Sequence, residues 1–236
     1  MIPLRDDNPT AIQPAVTIAL IVAASAVFLW QVTLPTDEEV LYVYALGVIP
    51  ATLLGGEQLP PELYVVPPWM TILTSMFLHG GWLHLVGNML YLWIFGNNIE
   101  DALGHVGFVL FYVACGAAAA LTQSALDTDS AVPMIGASGA IAGVLGAYAV
   151  LHPRAHVLVL VPLGFFFPLV RLPALLVLGF WFVLQLVQGG LATPSDAGGV
   201  AYWAHIGGFV AGLVLIFLFP RYSSAVSRRR PRGPWG

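Results

Sequence analysis

The chain has 236 residues, of which 58% are hydrophobic and only 8% are charged, and its mean hydropathy is +0.86. A soluble domain carries about 25% charged residues, so this composition excludes a water-soluble globular protein and indicates that lipid is the main solvent. The net charge of −4, without any lysine, gives no reason to expect nucleic-acid binding. The single cysteine, Cys115, excludes an internal disulfide or a multi-cysteine site, and we interpret it as a small apolar packing residue.

Crossing a hydrocarbon layer of about 30 Å takes about 20 apolar residues in a helix. Stretches of this kind cover residues 14–34, 78–97, 104–125, 134–151, 172–189 and 200–219. The apolar run that follows the N-terminal segment is too long for a cleavable signal, so we expect it to be retained. The pattern predicts an all-α membrane protein with a cytoplasmic segment (1–13), one six-helix domain (14–219) and a basic cytoplasmic tail (220–236).

The distribution of arginine predicts the orientation. With six spans, both termini and the loops near 98–103 and 152–171 share one side, and all eight arginines fall there. The loops on the other side carry acidic residues and no arginine, and positive charge favours the cytoplasmic side. The apolar stretch 156–173, interrupted by Pro162 and Pro168, is expected at that cytoplasmic interface, and so is Glu100.

Polar groups at membrane depth are costly and need a reason, and four polar side chains in three of the predicted spans attract attention. His84 and Asn88 are four residues apart in span two and therefore share a helix face. Ser138 lies near the start of span four, and His205 lies about five residues into span six. These three spans run inward from the outer side, so the four side chains are expected at a similar depth, within about 10 Å of the outer surface.

Small residues predict which helices touch. Gly139 and Gly143 are four apart in span four, and Gly208 belongs to a series of small residues at every fourth position on the His205 face of span six. Such series let two helix backbones approach closely in lipid. Contact between these two spans would bring the Ser138 hydroxyl within reach of the His205 imidazole.

A serine and a histidine in contact can perform nucleophilic catalysis. The imidazole accepts the hydroxyl proton during attack and later returns it to the leaving amine. No acidic residue lies within any predicted span, so the pattern favours a Ser138–His205 dyad over a triad with a carboxylate.

Acyl transfer also needs donors for the developing oxyanion. Ser138 stands at a helix start, where backbone N–H groups are unpaired, and His84 and Asn88 can add side-chain donors. Gly136 and Gly139 let the chain turn tightly into the helix and leave the hydroxyl uncovered.

Three motifs in this order resemble the rhomboid family of intramembrane serine proteases. They are HGGWLHLVGNMLYLWIFG in span two, GASGAIAG in span four and AHIGGFVAG in span six. The similarity covers nearly the whole chain and is strongest over residues 65–220.

The resemblance implies a six-helix rhomboid-like bundle with a water-filled cavity that opens to the outer side. It implies Ser138 as nucleophile, His205 as general base, and His84 and Asn88 beside the Ser138 N–H as the oxyanion site. His79 would support the cavity and the outer loop. The implied substrates are transmembrane segments of other proteins, with small residues near the cut, and no cofactor is expected.

The resemblance further implies that span five, with Phe180 and Trp181, and the loop GGLATPSDAGG form a lateral gate and cap. Some members place a tyrosine against the catalytic histidine, whereas this chain has Ala142 there, so another residue must hold the imidazole. We expect a multi-pass protein of a prokaryotic plasma membrane, and the sequence does not specify its oligomeric state.

Two other functions are compatible with these residues. His79, His84 and His205 could hold a metal ion, although this leaves Ser138 and its glycines unexplained. A rhomboid-like protein could also bind transmembrane helices without cutting them, but this chain keeps both Ser138 and His205.

Overall fold

The structure is a computed structural model that describes residues 1–162, 164–191 and 200–219. Within these ranges the chain is predominantly helical. The helices are α1 (Ala15–Gln31), α2 (Thr36–Leu46), α3 (Pro50–Leu53), α4 (Thr71–Thr74), α5 (Trp82–Tyr91), α6 (Asn97–Leu126), α7 (Ser138–Leu151), α8 (Ala174–Leu191) and α9 (Tyr202–Leu215). The strands are β1 (Ile2–Asp6), β2 (His156–Leu160) and β3 (Leu169–Pro173).

Helices occupy each of the six stretches that the sequence predicts as spans. Two continuous helical stretches are long and apolar enough to cross a membrane by length and composition, α5 through α6 and α8. The first of them contains a π-helical turn at Leu92–Gly96 and a kink at Gly104, where φ is +71°. Helices α1, α7 and α9 are apolar but have only 14 to 17 residues. The count of six crossings therefore stays a prediction.

Helix α7 lies at the centre of the bundle. Residues 139–148 are all buried, and α6 and α9 pack against the helix. A helix that is apolar on every side is typical of a position surrounded by other helices. Its 14 residues span only about 21 Å, which is less than a hydrocarbon layer of about 30 Å. If the bundle crosses the hydrocarbon layer, at least one end of α7 must therefore lie inside that layer.

The predicted contact between spans four and six is confirmed as the packing of α7 against α9. A Cβ atom on Gly208 would collide with the carbonyl oxygen of Gly139, and one on Gly212 would collide with that of Gly143. The two backbones touch where these glycines meet, so this crossing has no room for a larger residue.

The all-α prediction is wrong at the end of the bundle opposite Ser138, where a three-stranded antiparallel sheet forms in the order β1, β2, β3. Residues 156–160 and 169–173 pair as antiparallel strands because the prolines of this stretch interrupt a helix and its Val-Leu alternation suits a strand. Val157 and Val159 are buried while their neighbours in β2 are exposed or half-buried. The N-terminal segment contributes β1 as the third strand.

Asp7 fastens the three strands together. Its carboxylate accepts the backbone N–H of His156 at 2.8 Å and a guanidinium N–H of Arg171, also at 2.8 Å. These two donors hold the pKa of the exposed Asp7 carboxyl below its ordinary value of 3.8. Arg5, Arg154 and Arg171 all lie at or beside this sheet, whereas the predicted basic tail lies outside the described residues.

Glu100, which the sequence predicts at the cytoplasmic interface, is completely buried within the protein. Its carboxylate accepts the backbone N–H groups of Val16 and Thr17, at 2.9 and 2.8 Å, and the Thr17 hydroxyl at 2.7 Å. The His105 ring nitrogen lies 2.6 Å away. A carboxylate is favourable here because the first-turn N–H groups of α1 have no partner within their own helix.

Candidate active site

The structure brings Ser138 and His205 into direct contact. Ser138 is the first residue of α7, and His205 lies in the first turn of α9. The Ser138 Oγ and the His205 Nε2 are 2.7 Å apart, which is a hydrogen-bond distance. Ser138 is partly exposed, whereas His205 is buried at 9% exposure. A reactant could therefore reach the hydroxyl while the bundle holds the imidazole.

The turn before α7 depends on Gly136. Its φ of +116° is strained for any residue with a side chain, and its N–H donates to the Ser75 carbonyl at 2.8 Å. A Cβ atom there would lie 2.6 Å from the His84 Nε2. Ala137, which comes just before the helix, supplies no capping side chain, so the first-turn N–H groups of α7 stay open to a ligand.

Two side-chain donors converge on Gly136 from α5. The His84 Nδ1 accepts the Gly80 N–H at 3.3 Å, so the neutral ring carries its proton on the Nε2 that faces Gly136. The Asn88 Nδ2 is buried and has no hydrogen-bond partner among the described residues. It lies 3.6 Å from the point where a Gly136 Cβ would stand. An unpaired buried donor is costly, so this geometry suits a ligand oxygen beside Ser138.

His79 packs against His84, and no hydrogen bond joins it to Ser138 or His205 in the part of the chain that the structure describes. Its ring is fully buried and packs edge-on against His84, with ring centroids 5.1 Å apart. Its backbone N–H donates to the Gln31 Oε1 at 3.0 Å, and its Nδ1 donates to the Phe77 carbonyl at 3.2 Å. These contacts link α1, the chain before α5, and His84.

A second helix holds the other side of His205. The Gln185 Oε1, on α8, lies 2.7 Å from the His205 Nδ1. The Trp181 ring lies one turn away on α8, with its centroid 5.8 Å from the imidazole centroid and a tilt of 37°. Both ring nitrogens of His205 are therefore engaged, one by Ser138 and the other by Gln185.

Within the described ranges, no three His, Cys, Asp or Glu side chains stand close enough together to hold a metal ion. The histidines of the metal-binding alternative make other contacts, since His205 engages Ser138 and Gln185 while His79 packs edge-on against His84.

Residues 67–222 match the family model of the Rhomboid domain. The chain belongs to the rhomboid family. It is 31% identical over 207 residues to Rhomboid protein 1, mitochondrial, of Saccharomyces cerevisiae, an alignment that covers 80% of this chain and 56% of that protein.

Two bacterial relatives carry the word protease in their names. Rhomboid protease GluP of Bacillus subtilis is 40% identical over 88 residues, which cover 36% of this chain and 17% of that protein. Rhomboid protease AarA of Providencia stuartii is 29% identical over 150 residues, which cover 56% of this chain and 49% of that protein. The chain spans about half the length of the first curated relatives that it matches.

The rhomboid motifs in the sequence led to Ser138 and His205 but not to Gln185. Ala142 is fully buried, and the imidazole is held instead by Trp181 and Gln185 from α8. A signal existed in span five, because Gln185 is a polar residue in an apolar helix and stands four residues after Trp181, on the same face. The predicted cap includes residues 192–199, which lie outside the described residues.

Proposed function

We propose that this rhomboid protein is an intramembrane serine endopeptidase that hydrolyses peptide bonds in or near transmembrane segments of other membrane proteins. The observation that carries the proposal is the 2.7 Å contact between the Ser138 Oγ and the His205 Nε2 at an uncapped helix start. Bacterial relatives named as proteases support the same activity.

In the first half of the reaction, the Ser138 Oγ attacks the scissile carbonyl carbon while the His205 Nε2 takes the hydroxyl proton. The carbonyl oxygen becomes an oxyanion that accepts hydrogen bonds from the Ser138 N–H, the His84 Nε2–H and the Asn88 Nδ2. The tetrahedral intermediate then expels the amine, which takes the proton from His205, and an acyl ester remains on Ser138.

Water completes the cycle. His205 takes a proton from the water as its oxygen attacks the ester carbonyl, and the same donors stabilise the second oxyanion. Collapse of this intermediate releases a carboxylic acid and returns the proton to the Ser138 Oγ. No cofactor enters these steps.

The proposed topology has six crossings, cytoplasmic termini and a site that faces the extracytoplasmic side of a prokaryotic plasma membrane. Three arginines at the sheet end support it, because that end is separated from Ser138 by the whole length of α7. Since α7 is shorter than the hydrocarbon layer is thick, Ser138 would lie below the outer surface. A transmembrane substrate would then have to unwind locally to reach it.

Co-reconstitution with transmembrane peptides tests this function. Liposomes that contain the protein and a panel of peptides with small residues near one membrane surface are analysed for products by mass spectrometry. The wild type is expected to cut some peptides, Ser138→Ala to cut none, and His205→Ala to be slower by at least about a hundredfold. Ser130→Ala and His156→Ala are matched controls outside the site and are expected to cut normally.

Cleavage that persists in Ser138→Ala would reject the proposed nucleophile. A wild-type protein that retains bound peptides without cutting any would instead favour the rhomboid-like protein that binds helices only.

A further inference from the structure

We propose that Gln185 is the positioning residue of this site, which fixes the orientation and tautomer of His205 in the place that a carboxylate holds in a Ser–His–Asp triad. The inference rests on the proposed function, because it concerns how the same base is prepared for proton transfer. The sequence offers no acidic side chain in the spans for this task, and the buried amide of Gln185 reaches the ring nitrogen that does not face Ser138.

The direction of each hydrogen bond follows from the Gln185 amide. Its Nε2 donates to the Trp181 carbonyl at 3.4 Å, so its Oε1 is the atom that faces the His205 Nδ1. A carbonyl oxygen only accepts, and therefore the Nδ1 carries the proton. The neutral ring then has its lone pair on Nε2, 2.7 Å from the Ser138 Oγ. This is the tautomer that a general base needs.

Burial protects the hydrogen bond between Gln185 and His205 from water. Gln185 is 7% exposed and His205 is 9% exposed, so water competes little with the hydrogen bond between them. The Trp181 ring lies beside the imidazole, with its centroid 5.8 Å away, while Gln185 holds the edge of the ring at Nδ1. A neutral amide orients the base without adding negative charge, which distinguishes it from the carboxylate of a triad.

The hydrogen bond also links the base to the position of α8. Over residues 181–191 of α8, only Gln185 and Gly189 are buried. Two further contacts hold this half of α8 against α9, the stacking of Phe182 on Phe209 and the close packing of Gly189 against Tyr202. If α8 moved away from α9, His205 would lose its Nδ1 partner, so the base is correctly oriented only while α8 packs against α9.

The rate at which a fluorophosphonate probe labels Ser138, measured against pH in detergent micelles, tests the inference without a known substrate. Gln185→Leu removes the acceptor at similar volume and is expected to slow labelling about tenfold, the value of one hydrogen bond. Gln185→Glu is expected to restore labelling and to move its pH midpoint upward, because a carboxylate stabilises the imidazolium. Gln188→Leu, an exposed position on the same helix, is the matched control and should label like the wild type.

The outcomes separate the two proposals. A wild type that is not labelled at Ser138 would count against the proposed function itself. A labelled wild type whose rate and pH midpoint are unchanged in both Gln185 variants would overturn the positioning role while leaving the dyad intact. Slower labelling in Gln185→Leu without rescue by Gln185→Glu would show that Gln185 acts through packing, which also overturns the proposal.

Discussion

At the scale of single residues, the site depends as much on an absent side chain as on present ones. Gly136 occupies a backbone conformation that other residues rarely adopt, and the space where its Cβ would stand lies beside the His84 Nε2. The same space lies next to the unpaired Asn88 amide. A carbonyl oxygen of a substrate could therefore reach both donors only because residue 136 is glycine.

Gly136→Ala tests this dependence. The added methyl group would meet His84 at 2.6 Å in a strained backbone conformation, and a displacement of about 1 Å can cost about a hundredfold in rate. We expect probe labelling of Ser138 to fall about a hundredfold. Gly87→Ala, in α5, is the control, because its Cβ would stand in open space. Equal labelling of the two variants would mean that Gly136 has no role in the geometry of the site.

At the scale of elements, the packing of α7 against α9 determines whether the Ser138–His205 dyad forms. Ser138 and His205 stand at the starts of the two helices, and glycines at their crossing let the backbones touch. The small residues at every fourth position were sufficient to predict this contact from the sequence. The sheet was missed because a short apolar stretch near a membrane can be a strand or a helix, and its partner β1 is far away in the chain.

Gly208→Ala is expected to disturb this crossing. Its methyl group would collide with the Gly139 carbonyl oxygen, and overpacking of this kind costs about 1–3 kcal/mol. Thermal unfolding in detergent should show a lower midpoint together with weaker labelling of Ser138. Gly179→Ala, on α8, adds its methyl group in open space and should unfold at or above the wild-type temperature. A Gly208→Ala variant as stable as Gly179→Ala would contradict the close crossing.

At the scale of the whole molecule, the two ends of the bundle differ in chemistry. One end holds the polar group around Ser138, and the other holds the sheet with its arginines. Composition alone predicted a membrane protein, and the positions of His84, Asn88, Ser138 and His205 in the predicted spans indicated that they come together. The role of α8 in holding His205 was not predicted, because neither the family motifs nor the spacing of residues places Gln185 next to a histidine 20 positions later.

Site-specific labelling of cysteines tests the orientation. Cys115 is fully buried, so an impermeant maleimide should leave the native protein unlabelled. We expect Thr128→Cys, in the exposed loop before α7, to react in intact cells. Pro153→Cys, exposed beside the sheet, should react only after the membrane is permeabilised. The reverse pattern would place the active site on the cytoplasmic side.

The most direct measurement is the mapping of a fluorophosphonate adduct on the solubilised protein by mass spectrometry. An activated serine requires both the hydroxyl and the base that accepts its proton, so we predict an adduct on Ser138 in the wild type and none in His205→Ala. An adduct on another residue, or equal labelling of Ser138 with and without His205, would contradict the dyad and with it the proposed protease activity.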